Sequence, residues 1–418
     1  MTTTHYDTLE SRSSDQREAA LMAALPGLVA HAQKHSPALA DVLTGIDTGA
    51  VTSRTALARL PVTRKHELLE RQQAARQSGG DPFGGFSALG YGAHMPRIFA
   101  SPGTIYEPEG TRKDYWRMAR AMYAAGFRPG QLVHNSFSYH FVPAGSMMET
   151  GAHALGCTVF PGGTGQTEQQ VQAMAELRPA GYIGTPSFLR IIVEKALEMK
   201  VALPTLTRAL VSGEAFPPSL RDWLGEHGIA GYQCYASADL GLIAYETEAR
   251  EGLVLDESVI VEIVRPGTGD PVAEGEVGEL VVTTLNPDYP LIRFGTGDLS
   301  AILPGTCPTG RTNTRVKGWM GRADQTVKIR GMFVHPGQVA TIARRFPEVL
   351  KARLVVSGEM ASDSMTFRAE ASQPPSGLEQ RIGEAIRDIT KLRGTVELLA
   401  PGSLPNDGKV IEDARSYR

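Results

Sequence analysis

Cysteine is scarce. The 418 residues hold three, Cys157, Cys234 and Cys307, far apart and without a CxxC pair. That spacing argues against a disulfide framework and against a cysteine-based zinc site. His153, His227 and His335 add no metal-ligand spacing. Long apolar runs are missing as well: none reaches the roughly 18 residues of a membrane-spanning helix. The N-terminal Met-Thr-Thr-Thr-His-Tyr-Asp lacks the basic-then-apolar pattern of a secretory signal. A cytoplasmic protein without a membrane partner is the expectation. Nor does charge of one sign dominate, since 42 Lys and Arg stand against 45 Asp and Glu. The net charge of −3 leaves no basic field, and therefore no electrostatic case for binding nucleic acid.

What is present reads as a globular chain, 42% apolar and 21% charged, too long for one ordinary core. Leu21, Leu25, Leu28 and Val29 recur at helical spacing within 19–35, and Leu60-Pro61-Val62-Thr63 precedes a charged helix from Arg64. The glycine-rich stretch 79–92 reads as a loop. Helices over 115–125, 147–155, 168–177 and 186–199 alternate with strands over 131–137, 157–160, 181–184 and 208–212. This alternation predicts a doubly wound sheet, whose binding sites lie at the carboxyl ends of the strands. Strands over 259–264, 278–285 and 299–303 then predict a β subdomain. Beyond a charged turn, residues 325–418 read as a small α+β unit. Its strands fall at 353–356, 364–369 and 396–399, and its helices at 336–345 and 377–391. The fold class is thus α/β: a large N-terminal domain over 1–322 and a small mobile α+β domain over 323–418.

The segment 290–336 organises the rest. Pro-Leu-Ile-Arg-Phe-Gly-Thr-Gly-Asp over 290–298 reads as an apolar strand ending in the acid Asp298. Such a carboxylate offers two acceptor oxygens to the two hydroxyls of a ribose diol. Gly-Arg-Ala-Asp-Gln-Thr-Val-Lys-Ile-Arg-Gly then begins at Gly321, with Arg322 and Asp324 in a charged, hinge-like turn. The two pieces in this order resemble the core motifs of adenylate-forming enzymes, in particular the phenylacetate–CoA ligase-like branch. The resemblance extends over about 20–415. It implies that Asp298 binds the ribose of ATP or AMP, and that Arg322 and Asp324 bind nucleotide at the hinge before a C-terminal lid.

Further positions follow from the same resemblance. Ser101-Pro102-Gly103-Thr104-Ile105-Tyr106-Glu107-Pro108 stands at the phosphate loop, where Ser-Ser-Gly-Thr-Thr-Gly-Lys-Pro is typical. Ser101, Gly103 and Thr104 keep the phosphate-binding types, whereas Pro102, Ile105, Tyr106 and Glu107 depart from them. Tyr235-Ala236-Ser237-Ala238-Asp239 stands at the Tyr-Gly-x-Ser/Thr-Glu motif, which gives Tyr235 an adenine-side role and Asp239 a catalytic, Mg²⁺-binding one. Ser212-Gly213-Glu214 corresponds loosely to the adenine-flanking turn. Phe137, Tyr139, His140, Thr185 and Pro186 correspond to the acyl pocket, whose aromatic walls suit an aryl or small acid. Lys409, in Leu404-Pro405-Asn406-Asp407-Gly408-Lys409, corresponds to the lysine that stabilises transition-state charge. Some relatives carry a Cys/His zinc site after the tyrosine motif. Neither residue occurs over 245–257, so no structural zinc is expected.

The resemblance implies an ATP-dependent acid–CoA ligase using ATP, Mg²⁺ and coenzyme A on a small or aromatic carboxylic acid. A homodimer is compatible with it. Because the departures cluster at the triphosphate end, two alternatives stay open on the residues alone. One is a repurposed hydrolase or acyltransferase acting on an acyl thioester or acyl-adenylate. The other is a non-catalytic ligand-binding relative.

Overall fold

A computed structural model describes residues 4–265, 269–323, 327–334, 336–358, 363–372, 374–405 and 410–415. It separates into two compact units, Met1–Gly321 and Arg322–Arg418. Among the described residues no helix is long and apolar enough to cross a membrane.

In the first unit, helix α1 (Ser14–His35) opens with a capping box between Ser13 and Gln16 and buries Leu21, Leu25, Leu28 and Val29. Helix α2 (Lys65–Gln77) follows the two-residue strand Thr63–Arg64. Next comes an antiparallel hairpin of β1 (Arg97–Ser101) and β2 (Ile105–Glu109). Helix α3 (Met118–Ala124) begins three residues later than the 115–125 pattern suggests. Asp114 is the reason: its carboxylate accepts from the Met118 and Ala119 amides, and Arg117 is left-handed at φ 66°.

The α/β layer then alternates β3 (Leu132–Asn135), α4 (Ala144–Leu155), β4 (Thr158–Pro161), α5 (Thr167–Leu177), β5 (Gly181–Gly184), α6 (Pro186–Glu198), β6 (Arg208–Val211), α7 (Pro218–Glu226) and β7 (Ala230–Ser237). The strands are parallel in the order β4-β3-β5-β6-β7. With β4 on one side of β3 and β5 on the other, the sheet changes winding direction at β3. Antiparallel strands β8 (Gly241–Tyr245) and β9 (Leu253–Leu255) extend it.

A separate sheet holds β10 (Val259–Val264), β11 (Gly278–Thr284) and β12 (Phe294–Ser300), with Thr63–Arg64 at its edge. Here the expected strand over 290–298 is corrected. Residues 290–293 are irregular, β12 begins at Phe294, and Asp298 lies inside the strand rather than at its end. The cause is Arg293, left-handed at φ 47° and 1% exposed. Its guanidinium donates to Glu262 Oε2 at 3.0 Å and to the carbonyls of Ala58, Leu60 and Gly269 at 2.7, 2.5 and 2.6 Å. The expected strand over 299–303 is likewise divided. After Ser300 the chain leaves this sheet, and β13 (Ile302–Leu303) pairs with β14 (Arg315–Val316) at the edge of the nine-stranded sheet.

In the second unit, β15 (Val327–Ile329) and β16 (Met332–Val334) form a hairpin turned by left-handed Arg330 and Gly331. Helix α8 (Pro336–Arg344), β17 (Val349–Ser357), β18 (Ser364–Ala371), α9 (Leu378–Thr390), β19 (Thr395–Leu399) and β20 (Ile411–Asp413) follow. The sheet order is β19-β18-β17-β20. Ile342, Leu354, Phe367, Ile382 and Ile386 share its core.

Candidate functional site

Four candidate segments follow the carboxyl ends of the parallel strands, and the register of the sheet brings them to one edge. After β5, Thr185 caps α6 by accepting from the Phe188 amide, and Pro186 fills the first helical turn. The adjacent Ser187 amide donates to Glu214 Oε1 at 2.7 Å, tying the turn after β6 to the start of α6. Ser212 donates to the Cys234 carbonyl at 2.9 Å, and Gly213 takes φ 87°. After β3 the aromatic residues separate. Phe137 is buried in the core with Trp116, Met118 and Met147, whereas His140 is exposed. Between them, the Tyr139 hydroxyl accepts from Asn135 Nδ2 and donates to Glu149 Oε2, both at 2.8 Å. Burial and the Glu149 carboxylate hold this phenol above its ordinary range. A Cβ on Gly145 would come within 2.7 Å of the Ser138 carbonyl and 2.9 Å of the Tyr139 ring, so only glycine fits there.

The stretch at the phosphate-loop position is the β1–β2 hairpin, with Gly103 at φ 100° and Thr104 at φ 61° in its turn. Strand alternation sends Glu107 inward, fully buried. Its carboxylate accepts from the Ser101 hydroxyl and, at 3.2 Å, from the Ser101 amide. The Tyr106 residue on the opposite face is held through its backbone, which exchanges two hydrogen bonds with the Gln72 side chain at 2.8 and 2.9 Å.

Burial, and then the charge of Asp239, push the Glu107 carboxyl up to about 8, with Lys65 pulling it back. Lys65, at the start of α2, donates to Asp239 Oδ2 at 2.5 Å. The Asp239 side chain is 1% exposed, and its Oδ1 has no hydrogen-bond partner among the described residues. The buried hydroxyl of Tyr289 is in the same position, with Asp239 and Glu107 among the charges that raise its pKa after burial. Ser101, Glu107, Asp239 and Tyr289 therefore form one buried polar centre, with the partly exposed Lys65 at its edge. Asp239 alone was expected to bind a metal. Among the described residues no group of three or more His, Cys, Asp or Glu side chains could hold one, and the free Oδ1 fits a single contact to a cation otherwise ligated by phosphate and water.

Tyr235, near the end of β7, and Asp298, on β12, do come together. The Tyr235 hydroxyl donates to Asp298 Oδ2 at 2.6 Å, and the Trp319 indole donates to Oδ1 at 3.1 Å. Thr296 Oγ1 accepts from the Asp298 amide at 3.1 Å, fixing the backbone at the carboxylate. Within the second unit, the Arg322 guanidinium lies 5.7 Å from the Phe333 ring centroid. Asp324 and Lys409 lie outside the described residues.

Three members of this arrangement escape a motif reading: Lys65, Tyr289 and Trp319. Lys65 does sit within Leu-Pro-Val-Thr-Arg-Lys, a step that resembles the family's N-terminal helix start. Tyr289 and Trp319 carry no such signal.

Residues 113–286 match the family model described as AMP-binding enzyme. Phenylacetate-coenzyme A ligase of Thermus thermophilus is 30% identical, over 91% of this chain and 92% of its own. The Escherichia coli K12 enzyme of that name is 28% identical over 98% and 97%. Among solved structures, 2-hydroxyisobutyryl-CoA ligase in complex with 2-HIB-AMP and CoA superposes with a TM-score of 0.86. It is 25% identical, with 99% of this chain and 93% of that one covered. By this near full-length correspondence, the chain belongs to the phenylacetate–coenzyme A ligase family of AMP-binding enzymes.

Proposed function

We propose that this protein is an ATP-dependent, AMP-forming acid–CoA ligase acting on an aromatic or small carboxylic acid. The observation that carries the reading is the match, along almost the whole chain, to relatives named for that chemistry. They give no support to a thioester-only or a binding-only protein.

In the first half-reaction a substrate carboxylate oxygen attacks the α-phosphorus of ATP. The bond to the β-phosphate bridging oxygen breaks, and acyl-adenylate and pyrophosphate form. In the second, the coenzyme A thiolate attacks the acyl carbon and AMP leaves. Asp298 would receive the ribose hydroxyls, and Tyr235 would stand at the adenine side with Ser212, Gly213 and Glu214. Ser101, Gly103 and Thr104 would face the phosphates. Asp239 would hold Mg²⁺, which when bound neutralises charge on the departing pyrophosphate. Tyr139 and its neighbours Phe137, His140, Thr185 and Pro186 would shape the acyl side. Arg322 and Asp324 would serve the hinge of a lid formed by 323–418, and Lys409 would reach the reacting carboxylate from that lid. A cytoplasmic location fits these substrates, and a homodimer fits the family.

Incubation with ATP, Mg²⁺, coenzyme A and a panel of aryl and short-chain acids tests the reading. AMP and a new thioester should appear in equal amounts with one class of acid. Thioester absent with every acid, from folded protein, would overturn it.

A further inference from the structure

The Tyr235 hydroxyl donates to Oδ2 of the Asp298 carboxylate, and the Trp319 indole N–H donates to its Oδ1. Two hydroxyls of a cis-diol would present the same pattern, one donor to each oxygen. The two occupants differ in how firmly they are held. Tyr235 is part-buried on the central sheet, packed against the core that contains Leu240 and Ile243. Trp319 is 44% exposed and sits in an irregular stretch flanked by Gly318 and Gly321, both at positive φ. This exposed indole donates its N–H to Asp298 Oδ1.

We propose that Trp319 is a specificity-determining residue for the nucleotide. Its indole competes for Asp298, and a ribose with both hydroxyls displaces it. A nucleotide lacking them supplies fewer donors and leaves the indole in place. This rests on the reading of Asp298 as the ribose-binding acid. The competition makes two demands. Binding must move an exposed tryptophan, and removing the indole N–H must favour AMP while leaving a nucleotide without the ribose hydroxyls unaffected, which sharpens the discrimination between them. One hydrogen bond from a half-exposed donor to a carboxylate corresponds to about a fivefold change in affinity.

The test uses the full chain, titrated with AMP, 2′-deoxy-AMP and 2′,3′-dideoxy-AMP, read by calorimetry and by tryptophan fluorescence. Trp116, which donates to Glu109, and Trp223, whose ring lies tilted against His227, supply a background that Trp319→Phe isolates. AMP should give a saturating fluorescence change that is absent from Trp319→Phe, and dideoxy-AMP should give none. Trp319→Phe should bind AMP about fivefold more tightly and dideoxy-AMP as the parent does, so it discriminates about fivefold more strongly. If calorimetry shows AMP bound while the fluorescence is unmoved, or if Trp319→Phe discriminates as the parent does, the competition is refuted and the ribose role stands. If Asp298→Asn, folded as judged by circular dichroism, binds AMP as the parent does, the ribose role falls and the proposal with it.

Discussion

Replacing Glu107 with glutamine should abolish a pH-dependent choice between ATP and AMP. By the sequence resemblance the acid corresponds to the family's phosphate-loop lysine, and the fold gives it a buried, Ser101-bonded site that pushes its carboxyl up to about 8. At pH 7 it is mostly neutral, and a triphosphate arriving nearby meets a protonated acid rather than a charge. Above pH 8 it ionises. Two unit charges about 4 Å apart then cost between about 1 kcal/mol at the dielectric of water and about 4 kcal/mol at that of a protein surface. Even the lower figure is about a fivefold loss of ATP affinity. AMP lacks the β- and γ-phosphates and should lose less.

The assay is the ratio of ATP to AMP dissociation constants at pH 7 and pH 9, with Mg²⁺ held constant. In the parent the ratio should rise severalfold with pH beyond any rise in Glu107→Gln. Comparison with the variant cancels the contribution of ATP's own ionisation, which both proteins share. Stability gives a second readout. The folded pKa lies above the ordinary 4.5, so this residue's contribution is fully present below pH 4.5 and is lost as pH rises through about 8. Glu107→Gln should flatten that slope. A parent ratio that ignores pH, or an equal rise in Glu107→Gln, would refute the claim that the charge of this buried side chain reaches the triphosphate.

Two further expectations concern the scaffold. Arg293→Ala should cost about 3–5 kcal/mol in urea unfolding, because it strands Glu262 and three carbonyls in the interior; a loss under 1 kcal/mol would contradict that accounting. Asp114 is pushed up to about 6, first by burial, against its ordinary 3.8. Stability tied to it is therefore present below pH 3.8 and lost as pH rises through 6, by at most about 3 kcal/mol. Asp114→Asn should remove that slope in thermal melts between pH 4 and 7, and an unchanged slope would count against the burial argument.

Much of the architecture was legible because local pattern and tertiary role agree. The strand–helix alternation over 131–237 became the parallel layer. The misreadings arise where distant partners decide the backbone. Nothing local shows that Arg293 will find Glu262 and the carbonyls of Ala58, Leu60 and Gly269, yet those bonds delay β12 and carry Asp298 into the strand. Similarly, composition reads 101–108 as a loop with an ill-placed acid. Only the hairpin register turns Glu107 inward beside Asp239 and Lys65, where its proton removes the difficulty. The indole on Asp298 is illegible for the same reason, since 21 residues separate the two partners.

The most direct test of the ligase account is pyrophosphate release from ATP and Mg²⁺ as a function of added carboxylic acid, beside a Lys409→Ala control. The account predicts release that depends on one class of acid and falls sharply in the variant. No release with any acid, from folded protein that still binds AMP, would contradict it.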